Sequence, residues 1–235
     1  MQSAQAQATL GLTGQTSTLP RAARYRAAYH SAIGRTEGLA QFAQTVPPDD
    51  QLQSTESIEG GGTSRLKREG QIALLAFKAG VAVSADLGAG EFDTHANHDL
   101  IHESSLARLT DAVDWIWDYA ETLGLADRLV MVMGSDFGRT NHYNAQNGKD
   151  HWPIGSVIVM EKNQPWNNRV FGETDAVHNA HRINPQTLTR DDGGGTIIYP
   201  KHVHKALRQY LGLANSPVTQ GFEFLNTEDF GFFNA

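Results

Sequence analysis

Four residues with metal-ligating side chains stand at the edges of apolar runs in the middle of the chain. Asp93 and His95 lie in Phe92-Asp93-Thr94-His95, Asp136 in Gly134-Ser135-Asp136-Phe137-Gly138-Arg139-Thr140, and His151 in Asn147-Gly148-Lys149-Asp150-His151-Trp152. In an extended segment residues i and i+2 point to the same side, so Asp93 and His95 can reach one ion. Asp136 directly follows an apolar run, where an acid can meet a metal, and Arg139 is close enough to address an anion. Asp150 is a carboxylate neighbour able to orient His151, and Ser135 and His98 complete the polar surroundings. Taken together, these nitrogen and oxygen donors suit a divalent metal: zinc first, with manganese, magnesium or calcium as alternatives.

Each piece also has a plainer reading. Asp93 or Asn97 can cap a helix while His95, His98 and His102 sit in water. Gly134–Thr140 can be an ordinary strand exit turning at Gly138, and Asn147–Trp152 a surface turn. Gly60–Ser64 lacks the Lys-Ser/Thr pair of a P-loop and reads as linker plus helix cap, and Asp191-Asp192-Gly193-Gly194-Gly195 reads as a flexible turn. No Gly-x-Ser-x-Gly elbow occurs, so a serine triad has no support.

Composition narrows the function classes. With 235 residues and 40% hydrophobic content the chain can fill a core. A net charge of −7, from 19 basic and 26 acidic side chains, offers no basic stripe for nucleic acid. Without cysteine, disulfides, thiolate zinc sites and a cysteine nucleophile are excluded, and any metal must be held by His and carboxylate. No window approaches about eighteen consecutive apolar residues, so membrane insertion is not expected, and the first thirty residues lack a signal peptide's apolar stretch.

The elements that must position these residues follow from periodicity. Residues 1–63 read as a loose arm to residue 19, short helices over Arg21–Val46 (Tyr25, Tyr29, Ile33, Leu39, Phe42) stopped by Pro47-Pro48, and a polar linker ending in Gly60-Gly61-Gly62. From residue 64 to 235 one α/β domain is expected. It has a helix to about Lys78 stopped by Gly80, a strand at Val81–Ala85, and a long helix over Ser104–Leu123. Apolar strands at Leu129–Met133 and Ile154–Met160, a last helix around Val203–Leu211 and a phenylalanine-rich tail complete it. Unbroken apolar strands between amphipathic helices predict a three-layer α/β/α sandwich with a mostly parallel sheet, its site at the carboxyl ends of the strands.

In order, the three motifs around Asp93, Asp136 and His151 resemble the signatures of a bacterial domain-of-unknown-function family numbered 1501, which looks like a branch of the alkaline phosphatase and sulfatase superfamily. The resemblance runs from about Ser64 to the end and includes Phe171-Gly172-Glu173-Thr174-Asp175. It implies an alkaline phosphatase-like fold in which Asp93 and His95 bind one ion, Asp136 its neighbour, and His151 returns to the first. Arg139 would help hold an anionic group. The family commonly has Glu where Asp136 stands and Gln where His98 stands, and superfamily phosphatases have His in place of Phe137, which thins the second metal site. An upstream Asp and Ser or Thr nucleophile, usual in the superfamily, have no equivalent in residues 1–63. The chain therefore reads as the carboxyl-terminal portion of a longer protein or as a shortened relative, and the resemblance suggests export.

Three functions from different classes fit these observations. One is metal-assisted hydrolysis of a small phosphate or sulfate ester. A second is a non-catalytic, metal-stabilised binding or structural module of an exported protein. The third is a carbohydrate-facing protein using Trp115, Trp117, Trp152 and Trp166.

Overall fold

Helix-forming periodicity and its punctuation account for the first elements of the computed structural model, which describes residues 36–54, 65–221, 224 and 226–234. Helix α1 (Thr36–Thr45) ends just before the Pro47-Pro48 pair, and a short 3-10 turn follows at Asp49–Gln51. Helix α2 (Leu66–Lys78) buries Leu66, Gly70, Gln71, Leu74 and Leu75, one face at helical spacing. Gly80, at φ +70, takes the left-handed backbone that stops α2. Helix α3 (His98–Thr122) is 25 residues long, buries Ala112, Val113, Ile116 and Ala120, and is followed by Gly124 at φ +67. The loose arm, Tyr25, Tyr29, Ile33 and the triple glycine of the linker lie outside the described residues.

The chain forms two compact units. One comprises the stretch up to Gly90 together with Ser105–Leu125, and the other comprises Glu91–Ser104 together with everything from Ala126 onward. In the first unit Gly70 is a contact point, because a Cβ there would stand 2.6 Å from Ile116 Cγ1 and Cδ1. Buried Gln71 ties the 3-10 turn to α2, accepting from Gln53 N–H (2.8 Å) and donating to the Gln51 carbonyl. Burial of a side chain such as Leu74, 2% exposed, contributes about 1.5–3 kcal/mol.

The second unit carries two antiparallel ribbons. Strand β1 (Val130–Gly134) pairs with β4 (Val157–Glu161), Val130 opposite Glu161 and Gly134 opposite Val157. Strand β2 (Gly138–Arg139) pairs with β3 (His151–Trp152), setting Arg139 opposite His151. Helix α4 (Pro200–Tyr210) opens with Pro at its first position; His202 Nδ1 accepts the Tyr199 N–H while the His202 N–H donates to the Tyr199 carbonyl, and its Nε2 pairs with Glu228 Oε2 at 3.0 Å. The short helix α5 (Pro217–Gln220) follows. Phe230 and Phe232 come back to form a core with Ile183 and Ala206, ringed by Phe171, Leu188, Ile198, Val203 and Phe233. The aromatic tail thus packs on the body.

This architecture overturns the three-layer α/β/α, alkaline phosphatase-like sandwich with a parallel sheet. Among the described residues the strands make two separate two-stranded antiparallel sheets. A parallel return needs a crossover, usually a helix, but the connection from β1 to β4 is filled by the β2–β3 ribbon and loops, so β4 comes back antiparallel. The expected strand at Val81–Ala85 is a bent segment outside any sheet, with Val83 97% exposed. The apolar runs at 130–134 and 157–161 do pair with each other, yet Val132, Val157 and Ile158 remain about half exposed instead of covered on both faces. No helix of the described residues is long and apolar enough to cross a membrane.

Candidate metal centre

The site begins with local backbone. Asp93, Thr94 and His95 lie in a non-helical segment just ahead of α3, in which Asp93 and His95 are exposed and Thr94 between them is 2% exposed. The second contribution comes from the β2–β3 ribbon, whose register places Arg139 and His151 side by side on one face. The loop joining β2 to β3 is laced to the Asp93 segment. Lys149 N–H donates to the Thr94 carbonyl (3.0 Å), His98 N–H to the Asn147 carbonyl (2.9 Å), and Asn144 Nδ2 to the His95 carbonyl (3.0 Å). Gly148 permits this approach, since a Cβ there would lie 1.9 Å from the carbonyl carbon and oxygen of His95.

Three of the four expected ligands therefore converge. Asp93, His95 and His151 each offer a donor atom within 4.8 Å of the others, and all three side chains are exposed. Asp93 Oδ1 is the centre of the group: His95 Nδ1 lies 2.9 Å from it, His151 Nε2 3.5 Å, and Arg139 donates to it at 2.7 Å. The Arg139 bond, followed by those of His151 and the charge of His95, holds the Asp93 carboxyl below the usual carboxylate range. The His151 ring stacks on Phe137 at 3.8 Å between centroids and lies 4.8 Å from the His95 ring, which limits its orientations.

Asp136 is not in this group. It is exposed at the exit of β1, beside Ser135, whose hydroxyl donates to the Phe137 carbonyl. Asp150 accepts from Asn144 Nδ2 (3.0 Å), an amide that also supports the His95 carbonyl. Arg139 is 11% exposed, and its guanidinium donates to the Phe92 and Lys149 carbonyls as well as to Asp93, so it serves as a brace between the two segments. His98 is buried behind the segment, where its Nδ1 shares a 2.6 Å hydrogen bond with Thr94 Oγ1 and its ring stacks on His102 at 4.6 Å. Burial, then the neighbouring His102 and Lys149, pushes the His98 pKa down; burial, then Arg139 and Lys149, does the same for His102.

Residue types had pointed to Asp93, His95 and His151, and to Asp150, Ser135 and His98 around them, but not to every support. Asn144 is the clearest omission: its Oδ1 accepts the Gln146 and Gly148 N–H groups while its Nδ2 reaches Asp150 and His95. The Asn144-Ala145-Gln146-Asn147-Gly148 composition signals a turn, and nothing local says what that turn holds. Of the tryptophans, Trp166 is 6% exposed and lies edge-on to Tyr210 and Phe233, while Trp152 Nε1 donates to the His178 carbonyl.

No curated protein and no solved structure matches the chain significantly. A family model described as protein of unknown function, DUF1501, matches residues 4–191. Whereas the motif resemblance runs from about Ser64 to the end, this match begins well before Ser64 and stops short of α4 and the aromatic tail. It contains every member of the candidate centre, and the chain belongs to the DUF1501 family.

Proposed function

We propose that Asp93, His95 and His151 hold a divalent cation, zinc before manganese, magnesium or calcium, in a hydrolase-like domain related to the alkaline phosphatase and sulfatase superfamily and acting on small phosphate or sulfate esters. The observation that carries the reading is the convergence of one carboxylate and two imidazoles within 4.8 Å on an exposed surface. The donor set fits the group. Two nitrogens and one oxygen are the pattern of a catalytic zinc site with an open fourth position, and ligand distances near ~2.0–2.2 Å require only a small further closure of these side chains. Such a cation, when bound, supplies Lewis acidity to an ester oxygen and acidifies a coordinated water. The chain's own residues orient the ligands: Arg139 fixes Asp93, the Phe137 ring fixes His151, and Asn144 holds the backbone of His95. Asp136 stays outside this three-residue group, so the support is for one ion.

A second reading, the metal-stabilised module without catalysis, is favoured by one observation. Three hydroxyls within the motif segments are engaged: Thr94 with His98, Ser135 with the Phe137 carbonyl, Thr140 with the His142 carbonyl. Calorimetric zinc titration of the chelator-treated full chain, followed by hydrolysis assays on p-nitrophenyl phosphate and sulfate, separates the readings. Stoichiometric binding with turnover supports the hydrolase, and binding without turnover supports the module. Absence of binding overturns both.

A further inference from the structure

We propose that Thr94 and His98 form a positioning pair for the metal centre, their buried hydrogen bond pinning the middle of Asp93-Thr94-His95 so that the carboxylate and imidazole on either side are preset toward one cation. This rests on the metal reading above and adds residues that touch no ligand. Thr94 is 2% exposed and His98 8%, and their side chains meet at 2.6 Å. Thr94 is the middle residue of a tight turn, closed by the His95 N–H donating to the Asp93 carbonyl at 3.2 Å, and it is buried while Asp93 and His95 on either side are exposed. Anchoring Thr94 to the first turn of α3 therefore sets the direction of Asp93 and His95 together.

The anchor is itself held on every side. The His98 ring stacks on His102, which in turn meets the Phe92 ring edge-on at 5.5 Å. The His98 backbone N–H is fixed by the Asn147 carbonyl, and the Thr94 carbonyl by the Lys149 N–H. His98 thus stands at the junction of the ligand segment, the helix and the loop that delivers His151. Burial disfavours the charged form of its ring and lowers its pKa.

Outer partners that orient ligands typically change metal affinity by about 10–100-fold when removed. In the full chain, Thr94→Val keeps the shape and deletes the hydroxyl, Thr94→Ser keeps the hydroxyl, and His98→Gln keeps an amide that can pair with it. Zinc affinity is measured by competition with a chromophoric chelator, and ligand geometry by the visible spectrum of the cobalt-loaded chain. The expected result is a loss of about 10–100-fold and an altered cobalt spectrum in Thr94→Val, with both restored in Thr94→Ser and largely retained in His98→Gln. If Thr94→Val does not fold, His98→Leu against His98→Gln makes the same comparison. Parental zinc affinity and cobalt spectrum in Thr94→Val or His98→Leu overturn the positioning pair while leaving the metal reading intact. A parent chain that binds no zinc overturns the metal reading and this inference with it.

Discussion

Arg139, 46 positions beyond Asp93, donates to Asp93 Oδ1 at 2.7 Å, and that same oxygen is the one His95 and His151 approach. A guanidinium with its donors divided between two carbonyls and this carboxylate is a rigid fork, and a lysine cannot reproduce its geometry. Replacing Arg139 with Lys is expected to cost about 2 kcal/mol from the two carbonyl bonds alone, read as a lower urea midpoint with unchanged slope. It should also let the Asp93 carboxyl rise toward its usual range, measurable by carbon-detected NMR titration. An unchanged Asp93 titration would show that the fork is not what lowers it.

Gly148→Ala tests the seam between the loop and the ligand segment. The added Cβ meets backbone at 1.9 Å, and neither side can give way as a flexible side chain would. The segments must part, at a cost of about 1–3 kcal/mol or more. The thermal midpoint of the metal-free chain should fall, and zinc affinity with it.

Individually, Asp93→Ala and His151→Ala should abolish stoichiometric zinc while leaving the fold intact, because both side chains are exposed and neither fills a core. Metal content by plasma mass spectrometry and far-ultraviolet circular dichroism provide the two readouts. Retention of zinc in both variants would mean that the triad is only a polar network.

The carboxyl-terminal core predicts an acid transition. Glu228 is pushed down to about 2 by its own backbone N–H, then by His202 and Thr196. A carboxyl lowered in the folded state stabilises the fold above its ordinary value near 4.5 and loses that contribution as pH falls toward about 2. Stability measured by urea unfolding from pH 5 to pH 2 should decline, and Glu228→Gln should flatten that decline.

Phe232→Ala removes a ring that is 9% exposed, stacked on Phe230 and tilted against Phe171. A loss of about 3–5 kcal/mol is expected, visible in the same denaturation experiment.

Much of the helical framework was legible in advance, because α2, α3 and α4 each carry a stripe at helical spacing and end near glycine or a turn. The pairing partners 130–134 and 157–161 were legible as apolar runs. Their direction was not, since an apolar run reads the same whether its neighbour is parallel or antiparallel, and only the helix-free connection decides. Asp93, His95 and His151 could be picked out by donor type and spacing. The β2–β3 register that sets His151 beside Arg139 could not, because two-residue strands have no periodicity to read. Asp136 could be seen to follow a strand, but a sequence does not say that it lies outside the group formed by Asp93, His95 and His151.

Helix α3 belongs to both compact units, His98–Ser104 to one and Ser105–Thr122 to the other. The unit bearing the candidate metal centre is thus interrupted in the chain, with Asp93 and His95 before the interruption and His151 after it. During synthesis Asp93 and His95 emerge while their third partner is still unmade, and at ~5–20 residues per second the delay is roughly 3–11 s. The three-residue cluster is therefore complete only after translation has passed the whole of α3 and the β3 strand.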